Sequence, residues 1–255
     1  MLNTRATDLT DDAGAAPRLI DRALALAFAA PCAACEGVLD RPAASPVCDA
    51  CWAAIPRDAD PRCARCGVPV PDACICGDLP STVDWLRAVG PYDGALRAIL
   101  HALKYDGRQT VARGLGARLR PLLDGLPAAT GYVLVPVPLH RSRGFRRGFN
   151  QAEVLARAVG GPWPVHELLV RVRASPTQTR VDRLARRRNV AHAFGVRPQR
   201  PWRRVPGLAG LRVVLVDDVV TTGATLGACA EVLRASGATW VGALTAARTP
   251  RRAGS

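Results

Sequence analysis

After residue 80 the chain alternates between short, unbroken apolar runs and stretches whose apolar residues recur three or four positions apart. The runs read as buried strands and the spaced stretches as helices. This predicts a strand near 85–92, helices over 95–103 and 110–123, and a strand over 132–138, entered at Gly131 and ended by Pro136 and Pro138. A helix over 151–159, a strand near 165–172 and a basic helical stretch around 182–188 follow. A strand over 213–216, its helix and a last strand over 239–246 complete the series. Residues 197–209, rich in Pro and Arg, read as a surface connection. Such alternation predicts a three-layer domain, a parallel sheet flanked by helices.

One boundary carries chemistry. The run Val213 to Val216 is followed by Asp217 and Asp218, and then by Thr221, Thr222, Gly223, Ala224 and Thr225 before the pattern LGACAEVLRASG. Open α/β sheets bind ligands at the C-terminal ends of their strands. Acids placed there can grip sugar hydroxyls. A turn of hydroxyls and backbone N–H groups at a helix start, with Gly223 allowing close approach, suits one phosphate. The string resembles the phosphoribosyl-pyrophosphate (PRPP) motif of type I phosphoribosyltransferases. That likeness implies that the acids hold the ribose 2′- and 3′-hydroxyls and the turn holds the 5′-phosphate. A Walker A loop is absent, and Gly114 to Gly116 lack the third glycine of a dinucleotide fingerprint.

The front of the chain differs in kind. Residues 1–17, polar and rich in Ala and Asp, read as a disordered leader, and 18–30 as a short amphipathic helix. The apolar run from Ala23 to Ala30 is far short of the ~20 residues of a spanning helix. Asp8, Asp11 and Asp12 stand where a signal peptide carries basic residues. Eight of the nine cysteines fall between 32 and 76. Cys32-x2-Cys35 and Cys48-x2-Cys51 are two knuckles that together complete a tetrahedral zinc site. Cys63-x2-Cys66 with Cys74-x-Cys76 forms a second, more constrained set, and Gly67 and Gly77 supply permissive backbone after each pair. Spacing leaves open whether the pairs combine in order or interleave, 32/35 with 63/66 and 48/51 with 74/76. A disulfide scaffold is the competing reading, disfavoured by the reducing cytosol in which a PRPP enzyme belongs. Cys229, inside the last helix, reads as a packed core thiol.

Charge is uneven. Residues 1–80 hold 7 Arg against 11 acids, whereas 141–204 hold 16 Arg against 3 acids, nearly all of the chain's +14. Lys104 is the sole lysine. Coding bias accounts for arginine over lysine but not for clustering, which suits a polyanion.

Further segments resemble one family, ComF, named for natural competence. They are PVPLHRSRGFRRGFNQAEVLA (136–156), SPTQTRVDRLARRRNVAHAF (175–194), ILHALKY (99–105) and the cysteine-rich front end. The likeness runs from about Cys32 to Arg248. It implies a type I phosphoribosyltransferase-like parallel sheet over 81–250, behind a small zinc-binding module over 18–80. It also implies PRPP and Mg2+ as ligands, a cytoplasmic location, and competence-machinery proteins and single-stranded DNA as partners. Asp217 and Asp218 would be catalytic. The loop from Pro136 through Val137 and Pro138 to Arg141 would meet pyrophosphate, and 175–189 would close over the site. Ser175 stands where Thr is expected, with the hydroxyl kept. A mobile catalytic loop with its Lys or Arg is not identifiable, so the reading divides between a phosphoribosyltransferase of unknown acceptor and a DNA-binding protein whose PRPP site is regulatory or vestigial.

The string Arg147 to Gln151 has a local reading as well: Asn150 as helix N-cap, Glu153 at the capping-box position, and Phe149 with Val154 as a hydrophobic staple. Capping leaves Arg141, Arg143, Arg146 and Arg147, interleaved with Phe145, unexplained. These suit either a pyrophosphate clamp or phosphate contacts along single-stranded DNA. The five Trp residues read as core or rim, and of four His only His140 lies beside a proposed ligand loop.

Overall fold

The structure, a computed structural model, describes residues 31–56, 60–70, 74–126, 131–139, 148–172, 193–198 and 207–250. The apolar runs become strands β1 (Trp85–Pro91), β2 (Tyr132–Pro136), β3 (Leu169–Arg171), β4 (Phe194–Val196), β5 (Arg212–Val220) and β6 (Trp240–Arg248). Four of them form a parallel sheet in the order β1-β6-β5-β2, while β3 and β4 form an antiparallel pair apart from it. The helices are α1 (Asp49–Ala53), α2 (Gly94–Tyr105), α3 (Val111–Leu119), α4 (Gln151–Val159) and α5 (Ala224–Ala235).

Alternation along the strands divides the core in two. Val214 and Val216 of β5 join Leu134 of β2 under α2, α3 and α4, whereas Val213 and Leu215 join Val133 and Val135 under α5. The sheet is therefore buried on both faces, which is why its strands read as continuous apolar runs.

Four departures from the expected elements appear. The helix expected over 110–123 ends at Leu119 and continues as a 3-10 turn, Arg120–Gly125, because Pro121 has no N–H to extend an α-helix. Only Val165 and Leu169–Arg171 pair within the strand expected near 165–172, the former as an isolated bridge to Leu134. The partner strand β4, three residues without a legible period, was not expected at all. The motif strand also runs on past Val216 to Val220, because β6 keeps pairing with it as far as Val220 opposite Arg248. On the other side β2 pairing ends at Pro136, as its prolines predict, and the Val137 N–H closes on the Val216 carbonyl at 2.9 Å.

The cysteine-rich module is not a satellite on a tether. Cys32, Leu39, Val47, Trp52 and Ile55 belong to the core under α2 and α3, whereas Cys66, Val68, Leu79 and Val83 belong to the core under α5. Its two halves therefore clasp opposite faces of the sheet. The sequence expectations at 1–30, His140, Arg141, Arg143, Phe145, Arg146, Arg147, 175–189 and Trp202 lie outside the described residues.

Candidate functional site

The Thr/Gly turn over 221–225 lies where β5 meets α5. Gly223 takes the left-handed conformation (φ 70°, ψ 0°) at the N-cap of α5, which a side chain there would strain. The Thr222 hydroxyl accepts from the Ala224 N–H at 3.4 Å. A cavity of about 100 Å3 opens here, lined by Asp217, Val219, Val220 and Thr221 to Leu226. N–H groups at a helix start, hydroxyls and one carboxylate converge on a space of anion size.

The two acids diverge. They sit within the strand, so successive side chains point to opposite faces. Asp217 faces the turn and α5, its Oδ1 accepting from the Asp218 N–H at 2.8 Å. Burial first, and then the Asp218 charge, push its carboxyl up to about 8, against the pull of Lys104 and Arg171. Asp218, itself buried, is already engaged: Lys104 Nζ of α2 lies 3.1 Å from Oδ1, and Gln151 Nε2 of α4 donates to Oδ2 at 2.7 Å. Lys104 also lies 5.6 Å over the Tyr92 ring.

The string around Asn150 now divides into roles. Asn150 caps α4 through the Ala152 N–H, and its Nδ2 donates to the Val137 carbonyl at 3.1 Å, holding the Pro136–Pro138 loop. Gln151 carries the link to Asp218. Glu153, at the capping-box position, pairs with Arg157 one turn on at 2.8 Å. Sequence reasoning missed Lys104 and Gln151 as site residues. A lone lysine in a chain whose other basic residues are all arginine was the available signal for the first.

The cysteines combine in sequence order. Cys32, Cys35, Cys48 and Cys51 form one group and Cys63, Cys66, Cys74 and Cys76 the other, each with its sulfurs within 4.8 Å of one another. None of the eight is in a disulfide, with Cys35 and Cys48 at 3.9 Å, Cys66 and Cys74 at 3.4 Å, and Cys63 and Cys76 at 3.5 Å. Those separations are too long for disulfides and close to the ~3.8 Å between sulfurs held tetrahedrally at about 2.3 Å from zinc. The first knuckle of each group repeats one design: Cys32 N–H to Gly37 O at 2.7 Å and Cys63 N–H to Val68 O at 2.8 Å, with positive φ at Glu36 (62°) and Gly67 (69°). Burial opposes ionisation of Cys32, but the N–H groups of Cys48, Cys35 and Ala34 outweigh it and bring the thiol down to about 6. In the second group the Cys66 N–H leads the donors that bring Cys63 to about 6. Burial, followed by neighbouring thiols, pushes Cys51 and Cys76 up. Four such thiols ionise together only around a cation, so both groups fit zinc.

A parallel sheet with an acid pair running into a Thr/Gly turn, preceded by two four-cysteine groups, defines a phosphoribosyltransferase-type domain with a zinc-ribbon module. Residues 146–254 match the phosphoribosyl transferase domain family and residues 23–79 the double zinc ribbon domain family. The chain is 34% identical over 207 residues to DNA utilization protein YhgH of Salmonella typhimurium, covering 76% of this chain and 87% of that protein. It is 30% identical over 192 residues to Competence protein F of Haemophilus influenzae, covering 69% and 80%. It is 25% identical over 200 residues to Competence protein ComFC of Bacillus subtilis, covering 75% and 79%. The chain belongs to the ComF family. Among the described residues no helix is long and apolar enough to cross a membrane.

Proposed function

We propose that this chain binds PRPP with Mg2+ at the β5–α5 junction and acts in the handling of incoming DNA. The observation that carries the reading is the convergence of Asp217, the hydroxyls of Thr221, Thr222 and Thr225, and the start of α5 on one small cavity. The 5′-phosphate sits on the turn and Asp217 faces the ribose. Asp218, held by Lys104 and Gln151, fixes the strand end. The Pro136–Pro138 loop, pinned by Asn150, and Arg141 beyond it meet pyrophosphate. Mg2+ carried in with PRPP would take most of its ligands from the substrate and water and would supply charge neutralisation for the departing pyrophosphate. Zinc at the two cysteine groups is structural, and the chain works in the cytoplasm as a module over 18–80 joined to a domain over 81–250.

Catalysis is displacement at the anomeric carbon, with pyrophosphate leaving and an acceptor amine or base attacking. Purified protein incubated with PRPP, Mg2+ and a panel of nucleobases and amines should release pyrophosphate only when its acceptor is present. By calorimetry, Asp217→Asn and Gly223→Val should each weaken PRPP binding. Undiminished affinity in both variants removes the site.

A second reading rests on the relatives' names, "DNA utilization" and "Competence", together with the arginine block. It makes the chain a single-strand-binding protein in which PRPP is a regulatory ligand. Intact PRPP binding without pyrophosphate release, whichever acceptor of the panel is present, favours it.

A further inference from the structure

The second cysteine group reaches the phosphate turn through one side chain and one short segment. Arg65, between Cys63 and Cys66, donates from its guanidinium to the carbonyls of Cys76 at 3.2 Å, Leu79 at 3.3 Å, Pro80 at 2.8 Å and Val83 at 3.1 Å. A planar fork with this many donors holds a chain segment in one shape. The segment then lies on the turn. A Cβ added at Gly223 would meet Pro80 Cδ at 3.0 Å, and one added at Gly227 would meet Pro80 Cγ at 2.6 Å. From the far end of α5, Arg234 donates to the Thr82 carbonyl at 3.1 Å and pairs with Asp84. Cysteine group, segment 76–84 and the helix that begins at the phosphate turn are thus one continuous stack.

The first group is placed otherwise. Its Trp52 packs on Gly114 of α3, where an added Cβ would meet the indole at 2.3 Å, and its neighbours join the core on the other face of the sheet.

We propose that metal at Cys63, Cys66, Cys74 and Cys76, and not at the first group, sets the affinity of the phosphate turn for PRPP, acting through Arg65 and Pro80. The inference rests on the zinc and PRPP readings above. Without a metal the thiols lose their common anchor, and the segment that Arg65 holds loses one of its fixed ends. The turn then gives up the Pro80 wall against which the left-handed Gly223 is built, so ligand must order donors that were ordered beforehand. Linkage requires the converse: PRPP must tighten zinc at the second group by the same factor.

Three full-length variants separate the possibilities. Arg65→Met keeps all eight thiols and severs the link, Cys74→Ser removes an exposed ligand of the second group, and Cys35→Ser removes an exposed ligand of the first. Each is assayed for zinc content, for PRPP affinity by calorimetry, and for amide hydrogen exchange over residues 221–228 without ligand. Arg65→Met and Cys74→Ser should weaken PRPP binding by about tenfold and speed exchange over 221–228, while Cys35→Ser changes neither. Wild-type affinity and exchange in Arg65→Met would overturn the inference, as would equal loosening in Cys35→Ser. If Cys74→Ser does not fold, Arg65→Met with its zinc retained decides. If the wild type binds no PRPP, the PRPP reading falls and the exchange measurement alone decides the coupling.

Discussion

At the scale of single residues, the acid pair is two different devices. Asp218 is a buried charge whose partners come from two helices, and removing one partner of a buried pair leaves the other without compensation. Lys104→Met should therefore destabilise the protein by about 3 kcal/mol in urea unfolding, and adding Asp218→Asn should restore part of the loss. No recovery in the double variant would show that the two groups are uncoupled. Asp217 behaves in the opposite sense. Between the ordinary carboxyl range and about 8 the folded chain holds a proton that the unfolded chain has released, so stability falls as pH rises through that window. In the absence of PRPP and Mg2+, the melting temperature of Asp217→Asn should gain on the wild type from about pH 5 to about pH 8 and level off above. A difference that is constant with pH would mean that Asp217 is ionised throughout.

At the scale of elements, close approach governs what the helices can be. Gly116 of α3 lies against α4 so tightly that a Cβ would meet the Ala158 carbonyl oxygen at 2.2 Å. Alanine there gains about 1 kcal/mol of helix propensity, yet overpacking costs about 1–3 kcal/mol. Thermal unfolding of Gly116→Ala should show net destabilisation; an unchanged or raised melting temperature would show that the two helices slide apart freely. The sequence placed this glycine in a helical pattern and excluded a dinucleotide fingerprint around it; the structure adds that it lets two helices touch. Pro121 shows the reverse case, a local rule that overrides the apolar period: the α-helix ends at Leu119, four residues before the pattern does.

For the whole molecule, the uneven charge is the feature with the longest reach. If residues 141–204 track a single strand, binding should weaken with salt by a log-log slope of about −0.7 per phosphate contacted. Changing Arg143, Arg146 and Arg147 to Ala should flatten that slope by up to roughly two units, and PRPP should compete if the same arginines clamp pyrophosphate. An unaltered slope in the triple variant places the DNA surface elsewhere, and no binding by the wild type at low salt leaves the transferase reading alone.

The sequence by itself determined the parallel sheet, the Thr/Gly turn after the acid pair and the four cysteine pairs, because each is written in adjacent residues: an apolar run, a Thr/Gly turn at a helix start, a spacing of one or two residues. Asn150 as a helix cap belongs with these, since a cap acts within a few residues of itself. Only the tertiary structure decided what depends on distant partners. The length of β5 is set by β6, and that extra length turns Asp217 and Asp218 to opposite faces. Lys104 and Gln151 reach Asp218 from helices 114 and 67 residues away in the chain, so no spacing could announce them. Ordered rather than interleaved cysteine pairing, and a module that clasps both faces of the sheet, follow from which apolar residues find a common core, and that is settled only when the chain closes on itself.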